Sequence, residues 1–293
     1  MAKINKTVGN LPIKSGSDKD GASLRHAILL WGPSGCGKTT LAASAPGKKL
    51  WLSFGDNEHV SVMHRKDVVF VELFQHTHEE LFKLSRGGKN PFGLDQVLSE
   101  DTDITTVVVD SITALAYLAL LEAIYTAKAG ASKKDGFVPS IEMPGLSAYG
   151  ARNGLVLEVL TGILRVTSKH GVNVILTAHE ADASMKVEGG REIIDYVSIM
   201  LGGQIVNNVT LRLSEIWYMM QTVSGEKDRI ICVRPTRLRK PMKSRMFSQK
   251  GKPEFVIGYD AEKPDKGQMT LASLFEDWEK AGYTKIPVPG EKK

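Results

Sequence analysis

The sequence predicts an α/β fold: a mostly parallel sheet flanked by helices and extended by antiparallel strands. Three observations carry this. Apolar strand-type runs alternate with helix-forming stretches up to residue 180, the pattern of parallel strands joined by helical crossovers. Two of those runs, Thr105-Thr-Val-Val-Val-Asp110 and Val172-Asn-Val-Ile-Leu-Thr-Ala178, are continuous and β-branched rather than alternating, as in strands buried on both faces. After residue 202 strand-type segments follow one another without helices between them, which implies antiparallel pairing.

The chain has 293 residues, 42% hydrophobic and 24% charged, enough for one large α/β domain with appendages. No apolar run approaches the ~18 residues that span a bilayer. Residues Met1–Thr7 carry no apolar segment of signal type, and the two cysteines, Cys36 and Cys232, form no disulfide framework. A cytoplasmic, reducing location is expected, with no membrane partner. A net charge of +5 is weak support for nucleic acid by itself; the clustering of the basic residues carries more.

Residues 1–24 mix Lys, Asp, Gly and Ser without periodicity and read as a flexible arm. A strand, Ala27–Trp31, then leads into Gly32-Pro33-Ser34-Gly35-Cys36-Gly37-Lys38-Thr39, followed by Thr40 and a helix-forming stretch. G-x-x-x-x-G-K-T between a strand and a helix is a phosphate-binding P-loop. Its glycines turn successive backbone N–H groups inward as an anion nest. Lys38 is placed to reach the β- and γ-phosphates, and the Thr39 hydroxyl to ligate Mg²⁺. The expected ligand is a nucleoside triphosphate.

The first helix stops at Pro46-Gly47, and Lys49–Phe54 reads as a strand ending in Gly55-Asp-Asn-Glu58. A third strand, Asp67–Leu73, leads to His76-Thr-His-Glu-Glu80. Two histidines and two glutamates suggest a metal, but Thr77-x-x-Glu80 is a capping box, and that explains the polar cluster more simply. Its helix ends before Gly87-Gly88, and residues 87–103 are irregular with a helical turn near Leu94–Leu98. The buried run ending in Asp110-Ser111 is of Walker B type, which delivers a carboxylate to the Mg²⁺ site.

Helices follow at Ile112–Lys128 and Ala148–Lys169, separated by a Gly/Ser/Lys/Pro-rich loop over 129–147. The strand Val172–Ala178 ends in His179-Glu180, and 181–202 reads as a second long polar loop. Strands are predicted over Ile205–Ile216, Trp217–Thr222 and Arg229–Val233. The run from Arg234 to Arg245 holds six basic residues in twelve. Leu271–Lys280 reads as an amphipathic helix with Leu274, Phe275 and Trp278 on its apolar face. Lys128, Lys133, Lys134, Lys186 and Arg191 in and beside the two loops are candidate contacts to single-stranded DNA phosphates, with Phe137 and Tyr196 as the loops' aromatic residues.

In this order the motifs resemble the RecA-type recombinase ATPases, and most of all compact phage-encoded members that act in single-strand annealing and recombination. The resemblance spans residues 25–247, leaving 248–293 as a C-terminal extension. It implies a RecA-like P-loop core, and ATP with Mg²⁺ as cofactors. It implies Glu58 as the residue that polarises the attacking water, with Asp110 of Asp110-Ser111 at the metal. His179 or Glu180 stands at the γ-phosphate-sensing position, and Leu201-Gly-Gly-Gln204 resembles the exit from the second DNA loop. Lys243 and Arg245 resemble a basic pair that reaches into a neighbour's active site. Implied partners are single-stranded DNA, further copies of the chain in a filament or ring, and a single-strand-binding protein, in a bacterial host cytoplasm. Departures are His-Glu at the sensing position, no Phe-x-x-Ala anywhere, and no adenine-stacking aromatic residue after Glu58, where His64 or Arg65 would substitute. The alternatives are a hexameric helicase-like motor and a nucleotide-gated loader or regulator with little turnover.

Overall fold

The computed structural model describes residues 7–8, 11–12, 25–56, 58–85, 88–130, 140–188, 191–221, 228–247, 254–258 and 269–286. Within the N-terminal arm, Thr7–Val8 (β1) pairs antiparallel with Leu11–Pro12 (β2). The core strands are Ala27–Gly32 (β3), Lys48–Ser53 (β4), Val68–Glu72 (β5), Ile104–Asp110 (β6) and Asn173–His179 (β7). Ser184–Glu188 (β8) and Arg191–Tyr196 (β9) form a separate hairpin. Glu215–Gln221 (β10), Asp228–Cys232 (β11) and Glu254–Gly258 (β12) complete the large sheet. Its order is β12-β11-β10-β3-β7-β6-β4-β5. The six strands from β10 to β5 run parallel, and β11 and β12 are antiparallel. This is the α/β class expected, a mostly parallel sheet extended by antiparallel strands.

The helices are Lys38–Ala43 (α1), His78–Ser85 (α2), Leu94–Glu100 (α3), Ile112–Gly130 (α4), Gly145–His170 (α5), Ile205–Thr210 (α6) and Leu271–Lys280 (α7). Alternate residues of the central strands point to opposite faces. Leu29, Trp31, Val107, Val109 and Leu176 pack with Ile112, Leu115, Val159 and Ile163 on the face covered by α4 and α5. Leu30, Trp51, Val108 and Ile175 pack with Leu41 and Ala42 of α1 and with Leu271, Leu274 and Phe275 of α7 on the other. Two-sided burial is the reason β6 and β7 read as unbroken apolar runs. The segment beyond 247 adds β12 to the sheet edge and α7 to its face. Among the described residues no helix is long and apolar enough to cross a membrane.

Several local expectations are corrected. The strand expected over Ile205–Ile216 is the helix α6, followed by β10, which starts at Glu215. Ile205 and Val209, one helical turn apart, are both buried, so tertiary packing overrides the β-branched composition. The polar loop over 181–202 contains the β8–β9 hairpin, with Met185 paired to Ile194 and Lys186 to Ile193. The turn near Leu94 is a full helix, α3, and β12 was not anticipated. The loop over 129–147 is shortened from both sides by α4 and α5 to 131–144, of which 131–139 lie outside the described residues.

Candidate functional site

β3 delivers the chain to Gly32, where a Cβ would sit 2.1 Å from the Met219 carbonyl oxygen of β10. Only glycine lets the two backbones approach that closely. Gly37, at φ 91°, occupies the left-handed region just before Lys38 opens α1. The Lys38 ammonium is buried and donates to the carbonyls of Gly32 (3.0 Å) and Pro33 (2.7 Å). A cavity of about 600 Å³ opens here, lined by Ser34, Gly35, Gly37, Lys38, Thr39, Thr40, Asp56, Glu58, Ser61, Asp110, His179 and Arg229. Pro33 and Cys36 belong to the same loop, with Cys36 buried beneath it.

Asp110 ends β6 beside the loop. Its carboxylate accepts from the hydroxyls of Thr39 (3.2 Å) and Thr177. Burial pushes the Asp110 carboxyl up to about 6; the Thr177 hydroxyl opposes the rise, and the nearby Glu58 charge adds to it. A hydroxyl and a carboxylate side by side are the oxygen donors that Mg²⁺ takes when phosphates and water complete its shell. The donor set therefore fits that cation together with a polyphosphate.

Glu58 lies in the turn after β4. Its Oε1 accepts from Ser111 Oγ at 2.9 Å and stands 3.4 Å from His179 Nε2. Its Oε2 is buried without a hydrogen-bond partner among the described residues. A carboxylate oxygen in that state on a cavity wall calls for a donor from whatever enters. The strand order places β7 between β3 and β6, so the His179 end of β7 lies between the P-loop and Asp110.

Glu180 is separated from this cluster. Its Oε2 accepts from the Tyr218 hydroxyl of β10 at 3.0 Å, and it is not among the cavity-lining residues. Consecutive residues at a strand end point to opposite sides, so of the His179-Glu180 pair the cavity receives His179. The Tyr218 ring also carries the Arg239 guanidinium 4.9 Å from its centroid.

Lys243 and Arg245 do not line the cavity within their own chain. Lys243 pairs through its backbone with Ile216 and donates from Nζ to the Thr210 carbonyl at 2.9 Å. Beneath it, the buried Glu215 carboxylate accepts from the backbone N–H groups of Arg245 (2.7 Å) and Met246 (3.0 Å) and from Trp217 Nε1 (2.8 Å). A second cavity of about 480 Å³ is bounded by Val233, Arg234, Met242, Lys243 and Phe247, among others.

The candidate DNA contacts are placed unevenly. Lys133, Lys134 and Phe137 lie outside the described residues, as does the side chain of Lys128 on α4. Lys186 on β8 pairs with Glu188 (3.0 Å) and Asp195 (3.9 Å), while Arg191 on β9 is exposed. The hairpin also exposes Met185, Val187, Ile194 and Tyr196, an apolar component that a reading of 181–202 as polar did not include. At its base Val197 hydrogen-bonds to Leu238 and Lys240 of the basic segment. Arg65, expected near an adenine, is engaged by Asp67. His76-Thr-His-Glu-Glu80 holds the expected capping box, Thr77 and Glu80 bonding reciprocally, and His78 contacts Glu122 at 2.8 Å.

The sequence reading missed Asp56, Ser61 and Arg229 as cavity residues. Arg229 stands at the start of a predicted strand and matches no motif, so the sequence carries no signal of its place on the cavity wall.

Residues 25–245 match the model of a family described as AAA domain. No curated protein matches the sequence. The fold is similar to the crystal structure of the RadB recombinase at 14% identity and a TM-score of 0.40, over 80% of this chain and 88% of that one.

Proposed function

We propose, from the premise that this chain belongs to the AAA domain family, that it hydrolyses ATP with Mg²⁺ and acts as an oligomer on single-stranded DNA, in recombination or strand annealing. The carrying observation is one cavity that gathers Lys38, Thr39, Asp110, His179 and a Glu58 carboxylate with an unengaged oxygen. Phosphoryl transfer to water requires positioning and charge neutralisation more than covalent chemistry. The loop N–H groups and Lys38 bind the phosphates. Thr39 and Asp110 hold Mg²⁺, which supplies neutralisation of the charge on the phosphate oxygens. Glu58, fixed at Oε1 by Ser111, orients the attacking water from Oε2. His179 stands within reach of the same carboxylate and reports the state of the terminal phosphate to the segment that follows it.

The DNA reading draws support from continuity. The backbone of His179-Glu180-Ala181 pairs with residues 198–200, and Val197 pairs with the basic segment at 238–240. A change at His179 therefore reaches both the hairpin with Lys186 and Arg191 and the run containing Arg237, Arg239 and Lys240. In an assembly of the compact phage-encoded type, Lys243 and Arg245 enter a neighbour's site.

Single-strand affinity across a salt series, with an ATP analogue and with ADP, tests the reading. If three basic side chains engage phosphates per chain, the log–log slope is about −2, and replacing Lys133 and Lys134 by Ala flattens it by roughly one to one and a half units. The analogue should tighten binding relative to ADP. Absence of binding at low salt in both states removes the DNA role and leaves a nucleotide-gated loader or regulator. Absence of hydrolysis with and without DNA removes the ATPase.

A further inference from the structure

We infer that Arg229 is a phosphate-binding residue acting in cis, its guanidinium taking the anionic part common to nucleoside di- and triphosphates on the Gly37 side of the P-loop. This rests on the nucleotide-binding reading of the same cavity. β11 runs antiparallel to β10, with Arg229 opposite Gln221. Its first residues, rather than its last, therefore lie at the sheet edge where the parallel strands end. That edge is where ligands bind in open α/β sheets.

The side chain reaches across β10 to the loop. A Cβ built on Gly37 would lie 3.4 Å from Arg229 Nε and 3.8 Å from its Cδ and Cγ. The guanidinium thus sits against the residue whose backbone leads into Lys38. Its charge also reaches the Cys36 thiol, where with Lys38 it opposes the upward push of burial. Arg229 is 9% exposed and lines the cavity.

Charge balance points the same way. Among the described residues, the cavity wall carries the carboxylates of Asp56, Glu58 and Asp110 and the cations Lys38 and Arg229. A polyphosphate entering among three carboxylates needs each cation, even with a divalent ion bound. A planar guanidinium suits phosphate oxygens because it can donate two parallel hydrogen bonds. The position beside Gly37, rather than at Glu58 and His179, assigns Arg229 to phosphates that remain after hydrolysis.

The test is the affinity of the full-length chain for ADP and for a non-hydrolysable ATP analogue in wild type, Arg229→Gln and Arg229→Lys. Arg229→Gln should weaken both nucleotides alike by about 10- to 100-fold, the size of a charged hydrogen bond lost. Arg229→Lys should recover part of the loss, and the ligand-free proteins should unfold within a few degrees of one another. If Arg229 neither touches the phosphates nor is needed to hold the loop, folded Arg229→Gln will bind ADP within twofold of wild type, and the inference is overturned. A loss confined to the ATP analogue also overturns it. Should Arg229→Gln fail to fold, Arg229→Lys decides: a severalfold loss of ADP affinity supports the paired contact, and none rejects it. A wild-type chain that binds neither nucleotide overturns the nucleotide reading as well, whereas wild-type binding with indifferent variants overturns this inference alone.

Discussion

Glu58 Oε1 stands 3.4 Å from His179 Nε2, so the turn after β4 is tied to the end of β7, the strand between the P-loop and Asp110 strands. Ser111, one residue beyond Asp110, holds the same oxygen at 2.9 Å. The carboxylate is therefore positioned from two strand ends at once.

Separating binding from turnover follows from this geometry. Glu58→Gln should keep nucleotide affinity close to wild type and lose at least ~10²-fold in hydrolysis, a common size for an acid–base contribution. Lys38→Ala should lose both. Steady-state hydrolysis and nucleotide titration on each variant make the comparison; normal turnover in Glu58→Gln would remove that residue from the mechanism.

Gly32→Ala should damage folding rather than chemistry alone. The added methyl meets a backbone carbonyl of β10 at 2.1 Å, and neither central strand can yield without disturbing its neighbours. A loss of about 1–3 kcal/mol or more is expected, as for overpacked cores. Urea denaturation measures it, and an unchanged midpoint would mean that the β3–β10 contact relaxes freely.

How much of this was legible beforehand depends on where the constraint lies. Gly32–Thr39 and Val107–Asp110 announce themselves because the chemistry demands fixed residue types at fixed spacing, and their continuous apolar runs announce strands buried on both faces. Glu58 and His179 needed a family resemblance, since a turn carboxylate and a strand-end histidine carry no periodic signal. Arg229 was invisible as a cavity residue because its place there arises from the antiparallel return of β11, a tertiary fact. α6 was misread because Ile205-Val206 favours a strand locally, while burial of Ile205 and Val209 favours a helix globally.

Glu215 should prove necessary for the arrangement of Lys243 and Arg245. Its carboxylate serves the N–H groups of Arg245 and Met246 and the Trp217 indole in a site 1% exposed. Glu215→Leu leaves those donors unsatisfied, at about 1–3 kcal/mol for each one left buried. Chemical unfolding should register the loss, and stability within 0.5 kcal/mol of wild type would show that water replaces the carboxylate.

Completion of the site by a neighbour can be tested by mixing. Subunits carrying Lys38→Ala and subunits carrying Arg245→Ala should be inactive alone and regain hydrolysis together. At some interfaces an intact loop then faces an intact basic residue. With mixed assembly confirmed by labelled subunits, no recovery would rule out action in trans.

Acid should weaken the fold through His26. The ring is 7% exposed, stacked on Phe275 of α7 at 3.7 Å and near Trp278 at 5.2 Å. Burial lowers its pKa from 6.5 to about 4. Between those values the unfolded chain binds a proton that the folded chain does not, so stability falls as pH drops through this window and is unaffected by His26 above it. The expected loss from pH 7 to pH 4 is on the order of 3 kcal/mol. His26→Gln removes the titrating group, so its stability should be lower at neutral pH through lost stacking yet decline less on acidification. Urea unfolding at intervals from pH 7.5 to pH 4 gives both curves. The wild-type advantage over the variant should shift downward by that amount as pH falls, with the curves crossing if the lost stacking is worth less; parallel curves would show that the His26 imidazole is protonated alike in the folded and unfolded chain.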